Sequence, residues 1–434
     1  MSETKVENDK ISNGADEKLL LPLPGWKVWY VMVIIGILLF IDMATRNVVG
    51  PLFPLIKKEF NLLDSQLGLI NTVVLIIVTV LAMPLSYLID RWSRSKMASL
   101  MAIIWSIGSL VSGWASSFIV LLLGRGLLGV AEASYNSVGQ TYIMAAVKKK
   151  FRATVTGFLT MGMTLGIAGG ALLGGSLGSA YGWRNTLLIL AIPGIIFGIL
   201  AWFLPDYKSV VKTKSGTSSV VGFGTTLKEL FKNKSVVLIV IGGGLVNYLV
   251  YTIISWLPTY LMRFKEMSMA QAGEMTGLVL VAGIVGAPLG GWLGDFAGRK
   301  NNRGKIVVII VAAILTALST FGGVLFDFWP LFILTVLFIY LLIPSAYVAI
   351  QELVPAHQRA SAFGFYYSGV FILGVAWAPW AAGAISDATN LRISFWVAAA
   401  VVSVSIILFV ATYYSYKGDY ENARKREAIL GEMV

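Results

Sequence analysis

The sequence has no cysteine and one histidine, and charged residues make up only 13% of it. The first absence excludes disulfides, thiol catalysis and thiolate metal sites. The second excludes a histidine metal cluster; His357 stands beside Arg359 in a short polar stretch and reads as a solvated loop residue. No GxxxxGK[ST] segment occurs, so a P-loop nucleotide site is excluded. Clustered His, Asp or Ser nucleophile motifs are also missing, and an enzyme is not expected. The shortage of charge decides the class. A soluble globular chain carries about twice that fraction, whereas 57% of these 434 residues are hydrophobic. The composition is that of an all-α protein crossing a membrane many times.

Apolar runs fall at 26–49, 66–89, 97–115, 118–147, 154–181, 185–204, 234–262, 271–294, 304–326, 329–354, 360–384 and 392–416. About 20 residues at 1.5 Å each span a bilayer, so twelve transmembrane helices are expected. Pro205 to Asn233 is a longer link rich in Ser, Thr, Gly and Lys. Within it, TLKELFKNK puts Leu227, Leu230 and Phe231 on one side, as in a helix lying on the inner membrane surface. The expected organisation is a polar tail over 1–25, a six-helix bundle over 26–204, a linker over 205–233, a second bundle over 234–416 and a tail over 417–434. The first residues lack the layout of a cleavable signal peptide, which leaves targeting to the first helix.

The net charge of +12 does not point to nucleic acid, because its placement follows the connections. Arg91, Arg94 and Lys96, then Lys148 to Lys150 with Arg152, Lys208 to Lys234, and Arg299 to Lys305 occupy one alternating set. The other set holds few basic residues: Lys57, Lys58, Arg184, Arg263, Lys265 and Arg392. Positive charge collects on the cytoplasmic side, so both termini are expected there, in the cell's inner (plasma) membrane.

Ionised groups inside the apolar runs are the strongest functional signal. In the fourth run, Arg125, Gly129, Glu132, Asn136 and Gln140 follow at three- and four-residue steps and share one helical face. An unpaired charge at the bilayer centre costs at least about 2.5–3.5 kcal/mol, so this face should look into protein or a water-filled pathway. In the first run, Asp42 and Arg46 stand at i and i+4 and can pair along one face. Protonating Asp42 or Glu132 would free an arginine to hold an anion bidentately. The competing reading is a fixed ion-pair network that ties the two helices together.

The second half carries no deep charge. Its polar candidates are Asn247, Tyr248 and Tyr251, then Tyr340, Tyr347 and Gln351, then Tyr366, Tyr367, Trp377 and Trp380. Aromatics in apolar helices more often pack or form an interface belt than touch ligand. Asn247, Tyr251, Tyr367 and Trp377 are taken as substrate contacts beside Arg46, Arg125, Asn136 and Gln140. Trp26, Trp29, Trp256 and Tyr260 are assigned to the belt.

The two halves repeat. SYLIDRWSRSK after the second run answers to GGWLGDFAGRK after the eighth, with Asp90 and Asp295 205 residues apart, as are Arg94 and Arg299. FRATVTGF at the fifth run answers to QRASAFGF at the eleventh, with Arg152 and Arg359 207 apart. Repeats of this kind mark transporters that bind substrate between their halves. From Trp26 to about Lys417 these residues resemble the major facilitator superfamily. The GGWLGDFAGRK loop is similar to its signature loop, and Ser86 and Ser93 stand where the first copy usually has glycines. RGLLGVAEASY resembles the Spinster and anion:cation symporter families, which usually show Asp-Arg adjacent; here Met43, Ala44 and Thr45 separate Asp42 from Arg46.

The resemblance implies two pseudo-symmetric six-helix bundles and alternating access. It also implies gating contacts from Asp90 with Arg94 and Asp295 with Arg299 to the helix ends of the other half. The expected function is secondary transport of a small organic anion, a carboxylate, coupled to protons through Asp42 and Glu132. The proton gradient supplies the energy, no cofactor or metal is needed, and the chain is expected to act as a monomer in the lipid bilayer. The alternatives are a Spinster-like lysolipid carrier and a non-transporting sensor; the latter usually needs a long signalling domain, and about 17 residues follow Lys417.

Overall fold

The structure is a computed structural model describing residues 21, 23–91, 93–147, 149–206, 223–355 and 358–432. The first membrane crossing is longer than its apolar run. Helix α1, Gly25–Asn47, continues almost directly into α2, Val49–Phe60. The break at Val48 follows from Pro51, which has no N–H to offer the carbonyl of Asn47 one turn earlier. Then come α3 (Asp64–Arg91), α4 (Arg94–Gly113) and α5 (Phe118–Ala146). Helix α6, Lys149–Trp202, has 54 residues and contains the fifth and sixth runs. It turns at Gly182, whose φ of 77° is a left-handed value open to glycine because no Cβ collides there.

After the short α7 (Phe223–Lys232) come α8 (Lys234–Phe264), α9 (Met269–Lys300), α10 (Gly304–Leu325) and α11 (Leu331–Glu352). The eleventh crossing is α12 (Arg359–Val370), a π-helical turn (Phe371–Val375) and α13 (Ala378–Ala388). The last helix, α14, runs from Leu391–Glu432 without interruption, so the stretch expected as a separate tail is helix through Glu432. It is held from the side: the Tyr416 hydroxyl donates to Glu352 at 2.9 Å, and Asp419 accepts the Ser235 N–H at 3.0 Å.

Ten spans are long and apolar enough to cross a membrane among the described residues. One of them, Thr154–Trp202, turns at Gly182 and makes two crossings. With α5, which carries the buried charges, the crossings number twelve. In the first half α6 packs on α1 and α4, and α5 on α3 and α4; in the second, α14 packs on α8 and α10, and α11 on α9 and α10. The halves meet where α3 lies on α13, α6 on α9 and α2 on α8. The two described chain ends lie at one end of the molecule, where the Leu21 N–H donates to the Ala145 carbonyl at 3.0 Å and Arg359 pairs with Glu427 at 3.6 Å. This is the end carrying the basic connections.

Candidate functional site

At the opposite end the halves are bolted together. Asp64, the first residue of α3, is 3% exposed and receives both guanidinium nitrogens of Arg263, at 2.6 and 2.7 Å. Lys57 and the Ser386 hydroxyl add hydrogen bonds of 2.6 Å each. Helices α8 and α13 thus grip α3. Asp387 completes the latch from α13. Its two oxygens accept the backbone N–H groups of Asp64 at 2.7 Å and Ser65 at 2.8 Å, two of the four donors that any helix start leaves without an internal partner. A carboxylate also suits the positive end of the helix dipole.

One turn further in, a Cβ on Gly68 would lie 2.2 Å from the Pro379 carbonyl oxygen, so only glycine allows this approach. The Trp256 indole donates to the same carbonyl at 2.8 Å, and its ring lies 5.0 Å from that of Phe53. Trp256, expected in the interface belt, is fully buried at the seam, as buried indoles are when their N–H finds an acceptor. Tyr260, expected in the same belt, is also fully buried and lies against Phe332 and Phe395. On the same rim, the Lys265 ammonium holds the Asp327 carboxyl below the usual carboxylate range, with Arg392 adding to the effect.

Below this seal lies a cavity of about 930 Å³ between the halves. The first half contributes α1, α3, α5 and the Thr156–Ile167 side of α6. The second contributes α8, α9, α11, Tyr367 of α12 and Phe371 of the π turn. Arg46 and Glu132 are its charged lining residues, and they form an ion pair. Opposite them stand Asn247, Tyr251, Tyr340, Tyr347 and Tyr367. The Arg46 guanidinium carbon lies 6.0 Å from the Tyr251 ring centre, within cation–π range. Much of the remaining wall is apolar, including Met161, Ile167, Ile284 and Ile343.

Two pairings differ from the spacing argument. Arg46 reaches Glu132 on α5 instead of Asp42 on its own helix. Asp42 is 1% exposed, and neither of its carboxyl oxygens has a hydrogen-bond partner among the described residues. Arg125 does not line the cavity. Its guanidinium donates to the carbonyls of Thr45 at 3.2 Å and Arg46 at 2.8 Å, and to the Asn71 side-chain oxygen at 3.3 Å. Those carbonyls belong to the last turn of α1, where the break at Val48 interrupts the helix; a cation suits this negative helix end.

Of the residues selected from sequence, Arg46, Glu132, Asn247, Tyr251 and Tyr367 converge on the cavity. Trp377 does not line it; it precedes α13 and is 49% exposed. The side chains of Asn136, Gln140 and Asp90 lie outside the described residues, as does His357. Arg94 is buried and its backbone N–H donates to Asp206 at 3.3 Å. Asp295 and Arg299 are exposed and form no ion pair among the described residues. Tyr340 and Tyr347 were not chosen from sequence, although their seven-residue spacing places them on one face. Asn71 was missed altogether; its only signal is a lone amide inside an apolar run.

The sequence profile of the Major Facilitator Superfamily matches residues 35–369 and 268–432. Protein spinster homolog 1 of Xenopus laevis is 25% identical over 411 residues, 89% of this chain and 78% of that protein. The cis,cis-muconate transport protein of Acinetobacter baylyi is 25% identical over 386 residues, 85% of this chain and 90% of that protein. The crystal structure of a bacterial homolog to the human lysosomal transporter Spinster, in an inward-facing and unoccupied conformation, matches with a TM-score of 0.79 at 20% identity, covering 92% of this chain and 99% of that one.

Proposed function

The chain belongs to the Major Facilitator Superfamily and is a transporter, and from that premise we propose that it moves a small organic anion together with protons by alternating access. The observation that carries this reading is the Arg46–Glu132 pair, facing a cavity shared by both halves. Arg46 anchors the substrate carboxylate, and Glu132 is the counter-ion that holds its place when substrate is absent. A proton on Glu132 releases the guanidinium, whose planar fork then accepts the carboxylate bidentately. Asp42 is the second proton site. A buried carboxylate without a partner is costly, and a proton removes most of that cost. Tyr251 and Tyr367 contact the body of the substrate.

The basic end faces the cytoplasm, so this conformation is open inward and latched outward. The bundles 26–204 and 234–416 rock about the cavity. Asp90 with Arg94 and Asp295 with Arg299 close the inner end when the latch at Asp64 opens. The transporter works as a monomer in the plasma membrane with both termini inside.

Uptake into proteoliposomes under an imposed pH gradient tests the reading. Glu132→Gln and Asp42→Asn each abolish uphill accumulation, while at least one retains substrate exchange. Full accumulation by both variants rules out these two carboxyls as the coupling groups. The apolar cavity wall favours a second reading, an amphiphile such as a lysolipid, and a relative in Xenopus tropicalis named as a sphingosine-1-phosphate transporter supports it. Thermal-shift screening of organic acids and lysolipids at two pH values separates the two.

A further inference from the structure

A buried polar chain leads from the binding-site ion pair to the seam between the halves. It begins with Glu132 on the Arg46 side chain. Arg125 holds the backbone of that same arginine, through the carbonyls of Arg46 at 2.8 Å and Thr45 at 3.2 Å. Arg125 also donates to the Asn71 side-chain oxygen at 3.3 Å, and the Asn71 amide nitrogen donates to the Ser255 hydroxyl at 3.1 Å. Asn71 is on α3 and Ser255 on α8, so this last bond crosses from one half to the other. Asn71, Ser255, Arg125, Arg46 and Glu132 are all buried.

The orientation of Asn71 follows from its neighbours. A guanidinium only donates, so the side-chain oxygen must face Arg125, and the NH₂ is left for Ser255. Ser255 lies where the α1–α2 break rests on α8: a Cβ on Gly50 would sit 3.1 Å from the Ser255 carbonyl oxygen. One residue along α3, the Thr72 hydroxyl accepts the Trp380 N–H at 3.2 Å, beside the latch. A shift of α1 at Arg46 is therefore felt at Arg125, and a shift of Arg125 is felt at the inter-half bond. The parts of this chain that lie within the first half can persist when the latch opens, while Asn71–Ser255 must part.

We propose that Asn71 is a positioning residue that couples the state of the Arg46–Glu132 pair to closure of the seam, acting through Arg125 on one side and Ser255 on the other. This rests on the reading of Arg46 and Glu132 given above, and extends it to a residue that does not line the cavity. Losing the charge on Glu132 loosens Arg46, lets the end of α1 and Arg125 relax, and weakens the inter-half bond.

The test needs no substrate. The chain has no cysteine, so Leu63→Cys with Ala388→Cys, both at exposed positions on opposite sides of the latch, gives one pair of spin labels in the full protein. Distance distributions then report the ratio of open to closed seam. With Asn71 present, Glu132→Gln, a mimic of the protonated carboxyl, raises that ratio about three- to tenfold, the size of one lost neutral hydrogen bond. In Asn71→Ala the response to Glu132→Gln falls below about twofold, a non-additive cycle. Ser255→Ala, which leaves Arg125–Asn71 intact, also abolishes the response and serves if Asn71→Ala does not fold. The exchange Asn71→Ser with Ser255→Asn restores it.

Equal responses to Glu132→Gln in all backgrounds would mean that Asn71 only packs, and would overturn the proposal. No response even with Asn71 intact would overturn more, because the ion pair would then have no link to the conformational change.

Discussion

Replacing Asp387 by Asn removes a charge at the point where the second half caps the first. The carboxylate accepts the N–H groups of Asp64 at 2.7 Å and Ser65 at 2.8 Å, one to each oxygen. Asparagine keeps a single acceptor oxygen and no charge, so one of the two bonds is lost and the other becomes neutral. A hydrogen bond to a charged group contributes about 1.5–3 kcal/mol, and a favourable charge at a helix start about 0.3–1 kcal/mol. Asp387 is exposed, which places the loss near the lower bound. About 1–2 kcal/mol is a factor of roughly 5–30 in an equilibrium constant.

Both bonds join the halves, so the loss falls on the balance between latched and open seam more than on folding. In the Leu63→Cys, Ala388→Cys spin-label pair, Asp387→Asn therefore raises the long-distance population by that factor, while the melting temperature in detergent changes little. An unchanged distance distribution, with the protein folded, would show that the cap does not hold the seam shut. A large fall in melting temperature without a change in distances would show that it serves the fold of α3 alone.

Gly68→Ala places a Cβ 2.2 Å from the Pro379 carbonyl oxygen and 2.7 Å from the Trp380 Cα, both backbone atoms that cannot swing aside. It costs the closed seam about 1–3 kcal/mol and shifts the same distances toward opening; closed distances would refute the steric reading. Arg125→Lys replaces a fork that reaches two carbonyls and an amide by a point charge. It lowers the melting temperature and slows transport while leaving ligand affinity within about threefold, because Arg125 stands behind the cavity wall. A tenfold loss of affinity with unchanged stability would put Arg125 in the binding site.

The membrane crossings were legible because each rests on a run of twenty or so residues, the repeat because two short motif pairs recur at nearly one offset, and the buried charges because Arg46, Glu132, Arg125 and Asp42 break such runs. Their pairing was not. Spacing along one helix says that Asp42 and Arg46 can share a face, but not that α5 brings Glu132 within reach of the same arginine. The role of Arg125 depends on the Thr45 and Arg46 carbonyls at the end of α1, a contact between two helices that spacing along either one does not record. The latch was hidden for a different reason. Asp64 and Asp387 are 323 residues apart, at helix ends just beyond their apolar runs, where an acidic residue ordinarily signals only solvent. The last helix outruns its apolar stretch because Tyr416 and Asp419 find partners on α11 and α8, which hydropathy cannot register.

Competition between Glu132 and a substrate anion for Arg46 is tested most directly by the pH dependence of anion binding in wild type and Glu132→Gln. The ligand is whichever organic acid the thermal-shift screen selects. The wild type binds it more tightly as the pH falls, while Glu132→Gln binds at least as tightly as the wild type at low pH and loses most of the pH dependence. A variant that keeps the full wild-type slope, or one that no longer binds the anion at all, would contradict the competition.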